Sequence, residues 1–204
     1  MKNILLINLA IIFLVTACKK GEEDPFISIL SRKARICREW KVSEATQFLS
    51  QQNSSTTNEI ISYTETSSKG KFSLIFADGG SGQGTYSWTF AINKDGTYRI
   101  IRNYRITYGS SDMSDEEGRW YFLNNNKSAD IKAKEIIAFQ PQKITTSDGI
   151  TTLNSASPKL YNIVELKNKK IHLIRNYDYT EVTTNYSTGT YNSDLHLIPA
   201  ENDY

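Results

Sequence analysis

The sequence predicts an all-β fold of adjacent antiparallel strands behind one short N-terminal helix. Three observations carry this. From Trp40 onward the chain breaks into short runs rich in Tyr, Thr, Ile and Val, punctuated by Gly, Asn, Asp and Ser. No amphipathic helix separates those runs, so nothing supplies the crossovers that parallel strands need. Asn93-Lys94-Asp95-Gly96-Thr97 is a hairpin turn signal between two alternating segments.

Taken from the N-terminus, Met1-Lys2-Asn3 carries one positive charge, and an apolar run from Ile4 to Val15 follows, broken only by Asn8. These are the n- and h-regions of a signal peptide. The run is shorter than the ~20 apolar residues that cross ~30 Å of hydrocarbon. Val15-Thr16-Ala17-Cys18 resembles the lipobox of bacterial lipoproteins. That resemblance implies that residues 1–17 are removed, that Cys18 becomes the lipid-bearing N-terminus, and that residues 18–24 form a linker to a domain over 25–204. Acyl chains that bury CH₂ groups at ~0.8 kcal/mol each make such a tether permanent. Lys19 stands where an Asp would retain an enteric lipoprotein in the inner membrane, so the resemblance implies the outer membrane. Glu22-Glu23-Asp24 looks like a surface-export signal and equally like a solvated linker.

The length beyond Cys18 suits one domain with a sizeable core. With 24 Lys+Arg against 22 Asp+Glu, no basic field marks a nucleic-acid binder. Lipidation of Cys18 leaves Cys37 without an intramolecular partner, as a buried free thiol or an intermolecular disulfide.

Asp24 as cap, Pro25 at the first position, and Phe26, Ile29, Leu30, Lys33 and Ile36 or Cys37 at helical spacing predict a short helix that packs its Phe26 and Leu30 side on the domain. Strands are predicted at 40–48, 59–65, 71–77, 85–92, 97–108, 119–124, 134–139, 160–166, 171–177 and 194–198. A type I turn at Asn93–Thr97, with Gly96 as a G1 bulge, fixes one register. It pairs Ile92 with Tyr98, Phe90 with Ile100, Trp88 with Arg102 and Tyr86 with Tyr104, all on one face. Arg102 then lies against Trp88 in cation–π contact, worth ~0.5–2 kcal/mol. An arginine turned inward needs more than one ring to offset its lost hydration. Glu44, Glu165 or the anionic head of a ligand can meet it.

Arg35-Ile36-Cys37-Arg38-Glu39-Trp40-Lys41-Val42, Lys94-Asp95-Gly96-Thr97-Tyr98, Glu117-Gly118-Arg119-Trp120-Tyr121-Phe122 and the late pair of strands at 161–166 and 170–174 together resemble the bacterial lipocalin-like lipoproteins. This resemblance covers roughly residues 25–199 and implies an up-and-down antiparallel calycin-like barrel of about eight to ten strands, with room for one small apolar ligand.

Other constellations point to less. Gly80-Ser81-Gly82-Gln83-Gly84 lacks the following helix of a phosphate loop and reads as a hairpin loop. Asp112, Asp115, Glu116 and Glu117 lack the alternating spacing of a calcium loop and read as a solvated turn. His172 and His196 face each other if their strands pair, but no clear third ligand accompanies them, so no metal site is expected. No nucleophile elbow, reactive Cys or placeable carboxylate pair marks an enzyme, and no cofactor is expected. Tyr161, Tyr177, Tyr179, Tyr186 and Tyr191 suit either a binding surface or ordinary sheet packing. The Ser/Thr-rich stretches 50–58 and 144–157 read as loops at the barrel mouth.

Two functions from different classes fit. One is a ligand-binding module for a small apolar or amphipathic molecule, with Trp88, Arg102, Tyr86, Tyr104, Phe90 and Tyr98 as its binding residues. The other is a structural or interaction lipoprotein of the envelope with a filled core. Substituting Cys18→Ser is expected to stop lipidation and strand the precursor or release soluble protein; incorporation of labelled palmitate that persists in that variant would overturn the lipobox assignment.

Overall fold

Alternation of apolar and polar residues gives each strand one face for a core and one for water, and a sheet with a single apolar face can bury all of it by closing on itself. A computed structural model of the chain describes residues 30–52, 59–64, 70–75, 80–107, 109, 111–123, 135–154, 156–181 and 187–200. The expected signal peptide, the segment resembling a lipobox with Cys18, the expected linker, Asp24, Pro25, Phe26 and Ile29 lie outside the described residues, as does Tyr186.

Helix α1 (Arg32–Ile36) begins at Ser31, whose side chain accepts a hydrogen bond from the Ala34 N–H (3.1 Å). Leu30, expected on the buried side of the helix, is 41% exposed. The helix is held from its other end, where the buried Trp40 indole N–H donates to the Ile36 carbonyl (2.8 Å) and Arg35 reaches the Leu166 carbonyl.

Eleven strands follow: β1 (Glu39–Gln52), β2 (Glu59–Thr64), β3 (Gly70–Ile75), β4 (Ser81–Ile92), β5 (Thr97–Ile106), β6 (Ser111–Phe122), β7 (Ile136–Thr146), β8 (Gly149–Thr152), β9 (Lys159–Lys167), β10 (Lys170–Glu181) and β11 (Ser187–Pro199). All pairings are antiparallel, in the order β6-β5-β4-β3-β2-β1-β11-β10-β9-β7-β8. Two further ladders close the sheet. β6 pairs with β7, and β1 meets β4 through Glu39–Ala91, Trp40–Phe90 and Lys41–Thr89. The result is the lipocalin-like architecture the sequence predicts, a closed eight-stranded antiparallel barrel with one short helix.

The barrel is not uniform along its axis. At the α1 end β1 and β4 are neighbours, whereas at the opposite end the β2–β3 hairpin stands between them. The helix end is packed solid. Phe139 lies against Tyr98 (4.9 Å between ring centroids), Tyr161 (5.8 Å) and Phe90 (6.1 Å), and Trp40, Ile100, Ile137, Leu173, Leu195 and Leu197 are buried around them.

Four segments read as turn or loop are strand instead, the first of them Ser50 to Gln52 at the end of β1. The acidic stretch from Asp112 to Glu117 is no turn but the first half of β6. Residues 144–146 and 149–152, expected in a loop, end β7 and form β8, and Ser81 to Gly84 open β4. In each case a strand partner supplies the backbone hydrogen bonds, which outweighs the weak β-propensity of Asp, Gly and Ser.

The turn between β4 and β5 matches the expectation. Gly96 has φ +87°, its N–H donates to the Asn93 carbonyl (3.2 Å), and Asp95 Oδ1 accepts from the Thr97 N–H (2.9 Å) and hydroxyl (2.7 Å). These bonds hold the Asp95 carboxyl below its usual range. An L-residue in the left-handed region costs ~1–2 kcal/mol. Gly96→Ala is therefore expected to lower the thermal midpoint by about 2–8 °C, and an unchanged midpoint in calorimetry would mean that the turn relaxes without strain.

Candidate functional site

The turn sets the β4–β5 register, with Ile92–Tyr98, Phe90–Ile100, Trp88–Arg102 and Tyr86–Tyr104 as cross-strand partners. The Arg102 guanidinium stands 4.5 Å from the centroid of the buried Trp88 ring, and Trp88 in turn stacks on Phe90 (5.7 Å, 26°). Phe90 and Tyr98 belong to the packed floor. Tyr104, at the far end of the same face, is 39% exposed, so the expected eight-residue apolar face stops short of it. The Tyr104 hydroxyl donates to Asp112 (3.0 Å), beside a cleft of about 500 Å³ lined by Tyr86, Tyr104, Asp112, Met113 and Ser147.

Tyr86 has a different task. Its ring covers Gly70 on β3, where a Cβ would fall 2.1 Å from the ring, and its hydroxyl donates to the Val42 carbonyl (3.2 Å). Val42 lies between the end of the β1–β4 ladder at Lys41 and the start of the β1–β2 ladder at Glu44. The phenol thus fills the fork where the two strands part.

Counting back along β6 from Trp120 in steps of two reaches Gly118 and then Glu116, so Glu116 faces inward opposite Ile100. It is 4% exposed and accepts from the Tyr98 hydroxyl (2.8 Å) while pairing with the Lys159 ammonium of β9. Glu116 is the internal carboxylate of this region, and the expected partners of Arg102 are elsewhere. Glu44 is exposed, and Glu165 is buried against Lys167 and Lys170. Burial pushes the Glu165 carboxyl up, but those two ammonium groups pull harder and leave it below its usual value.

β10 adds a second guanidinium. Arg175 lies over Tyr177 (4.2 Å), Tyr191 (5.5 Å) and Tyr161 (5.6 Å), opposite the buried Ser193 of β11. The Tyr191 hydroxyl is met by the Gln47 amide (2.7 Å). Arg102 and Arg175 both act electrostatically on Lys159 and on Tyr161. Burial lowers the Lys159 ammonium pKa and raises both phenols, Tyr161 to about 12 and Tyr98 further. Arg102 and Arg175 thus lie close enough to Lys159 to act on it, and Lys159 pairs with the Glu116 carboxylate.

Sequence reasoning found Trp88 and Arg102 and named Tyr161, Tyr177 and Tyr191 among binding-surface tyrosines, but missed Glu116, Lys159 and Arg175. The period-two count back from Trp120 was the available signal for Glu116. Nothing local marks Lys159 or Arg175, because their strands meet β6 only through the closed barrel. Cys37 is a free, partly buried thiol, and burial raises its pKa.

Comparison with models of known protein families, with curated proteins and with solved structures found no match. Among the described residues no helix is long and apolar enough to cross a membrane.

Replacing Glu116 by Leu leaves the Lys159 charge without its partner. Breaking a buried pair from one side costs about 3–5 kcal/mol, and the partial exposure of Lys159 places the expected loss near the lower end. The double variant Glu116→Leu/Lys159→Met should recover most of it in denaturant unfolding. A double variant that loses the sum of what Glu116→Leu and Lys159→Met lose singly would show that the pair is not coupled.

Proposed function

We propose that this protein is a lipid-anchored envelope protein whose barrel binds a small amphipathic ligand, with an anionic head at Arg102 and Arg175 and an apolar part against Trp88 and the tyrosines. The anchor rests on the lipobox resemblance at Cys18 and the outer-membrane placement on Lys19. The binding reading rests on one observation, the excess of positive charge in a half-enclosed, aromatic-walled region. Concentrating cations where water is scarce is unfavourable unless an anion compensates it, and guanidinium groups suit carboxylate, sulfonate or phosphate heads because their donors form a planar fork. Glu116 already accepts from Tyr98 and pairs with Lys159.

The packed floor supports a shallow site. Phe139, Tyr98, Tyr161 and Phe90 fill the helix end of the barrel, so the ligand would lie in the wider end, where β2 and β3 enlarge the wall.

Palmitate and its neutral alcohol analogue, titrated against the intrinsic tryptophan fluorescence, test this reading because Trp88 lies beneath Arg102. Palmitate is expected to bind more tightly than the alcohol. Losing a charge-assisted hydrogen bond costs ~1.5–3 kcal/mol, so Arg102→Leu and Arg175→Leu should each weaken palmitate binding by about 10- to 100-fold, leaving the alcohol little changed. Both ligand-free variants should be at least as stable as the parent, since each removes a like charge. Equal affinity for acid and alcohol, or no binding of either, would remove the proposed function.

A further inference from the structure

The outer wall carries a second constellation, independent of the barrel interior. His172 of β10 stands directly across from His196 of β11, and their imidazole rings stack at 4.1 Å between centroids with an 18° tilt. Asp194 precedes His196 by two residues, so a strand places both on one face, and it lies diagonal to His172. One atom, Asp194 Oδ1, lies 2.8 Å from His172 Nε2 and 3.3 Å from His196 Nε2. This is the third ligand that the sequence did not reveal.

We propose that His172, Asp194 and His196 bind a divalent transition-metal cation, with Zn²⁺ the best match to the donors. Ligand atoms from all three side chains lie within 4.8 Å of one another. Zn²⁺ takes imidazole nitrogen and carboxylate oxygen at about 2.0–2.2 Å in a tetrahedron, which sets the donors a little over 3 Å apart, so small rotations of these side chains seat the ion. Two imidazoles and a carboxylate are poor ligands for Mg²⁺ or Ca²⁺, which favour all-oxygen shells. Two stacked rings aimed at the same oxygen are a convergence of lone pairs, which a cation explains better than a proton.

The surroundings agree in charge and rigidity. The side chains of His172, His196 and Asp194 are 15%, 27% and 46% exposed, so the wall shields one side of the site and water can supply a fourth ligand from the other. Glu44 of β1 sits opposite His196 in register and adds negative charge. Glu165 of β9 sits opposite His172, but its charge is taken by Lys167 and Lys170. The site stands on the continuous β10–β11 ladder, and the Ser43 hydroxyl fixes the His196 carbonyl from β1 (3.1 Å). A bound ion would join β10 to β11 through side chains as well as backbone.

Calorimetric titration of the untagged full chain in detergent with Zn²⁺, and absorption spectroscopy with Co²⁺, test the proposal. One ion per chain is expected, with a Co²⁺ spectrum of nitrogen and oxygen ligation and no thiolate band. His172→Ala, Asp194→Ala and His196→Ala should each weaken binding tenfold or more, while Cys37→Ser and excess Mg²⁺ leave it unchanged. Binding should weaken as pH falls, because the ligands must be deprotonated. If a variant fails to fold, the Co²⁺ spectrum of the parent chain decides alone. Absence of Zn²⁺ binding, a thiolate band, or binding that survives all three substitutions would overturn the site.

Discussion

Three residue pairs between β1 and β4 narrow the barrel at its α1 end, and their pairing forces a fork immediately above, because β1 then turns to pair with β2 and β4 with β3. The Tyr86 phenol occupies that fork. Gly70 makes it possible by leaving the ring the space of a side chain. The character of the barrel interior follows from where this division falls. Below it the wall is narrow enough for facing side chains to touch, so burial is complete and the interior is a core. Above it the wall gains strands and circumference, so there is more interior to fill.

Polar and charged groups gather on the wider side for the same reason. Arg102, Glu116, Lys159 and Arg175 all project from the face that, nearer α1, carries Ile100, Trp120, Tyr161 and Leu173. Each strand keeps its alternation, while the class of inward residue changes from apolar to ionisable along it. The change takes place over Trp88, Tyr98 and Tyr161, whose rings face hydrocarbon on one side and cations or a hydroxyl partner on the other. A closed barrel thus has two solvents inside it, and the aromatic residues form the boundary.

The outer face follows a separate logic. Its ion pairs include Arg99 with Asp115, where the guanidinium is half exposed and water screens the charge, so the pair contributes little to stability. The His172–Asp194–His196 group differs because its side chains are partly sheltered and converge on one point.

The hairpin register was legible in five consecutive residues, Asn93 to Thr97, since a tight turn fixes every pair that follows and the chemistry of that turn is local. With it came the meeting of Trp88 and Arg102, and the β-class of the whole domain was equally plain from composition and punctuation. The acidic start of β6 was hidden, because Asp and Glu resemble a solvated turn until a neighbouring strand supplies the backbone partners. Nor could the chain alone show that Glu116 meets Lys159, that Arg175 joins Arg102 across the interior, or that Asp194 completes the pair of histidines. The first two join residues far apart in sequence and exist only once β6–β7 and β1–β4 pairing has closed the sheet, whereas the third needs the β10–β11 register. Local chemistry sets turns, alternation and register; the side chains that share an interior are set by closure, a property of all the strands together.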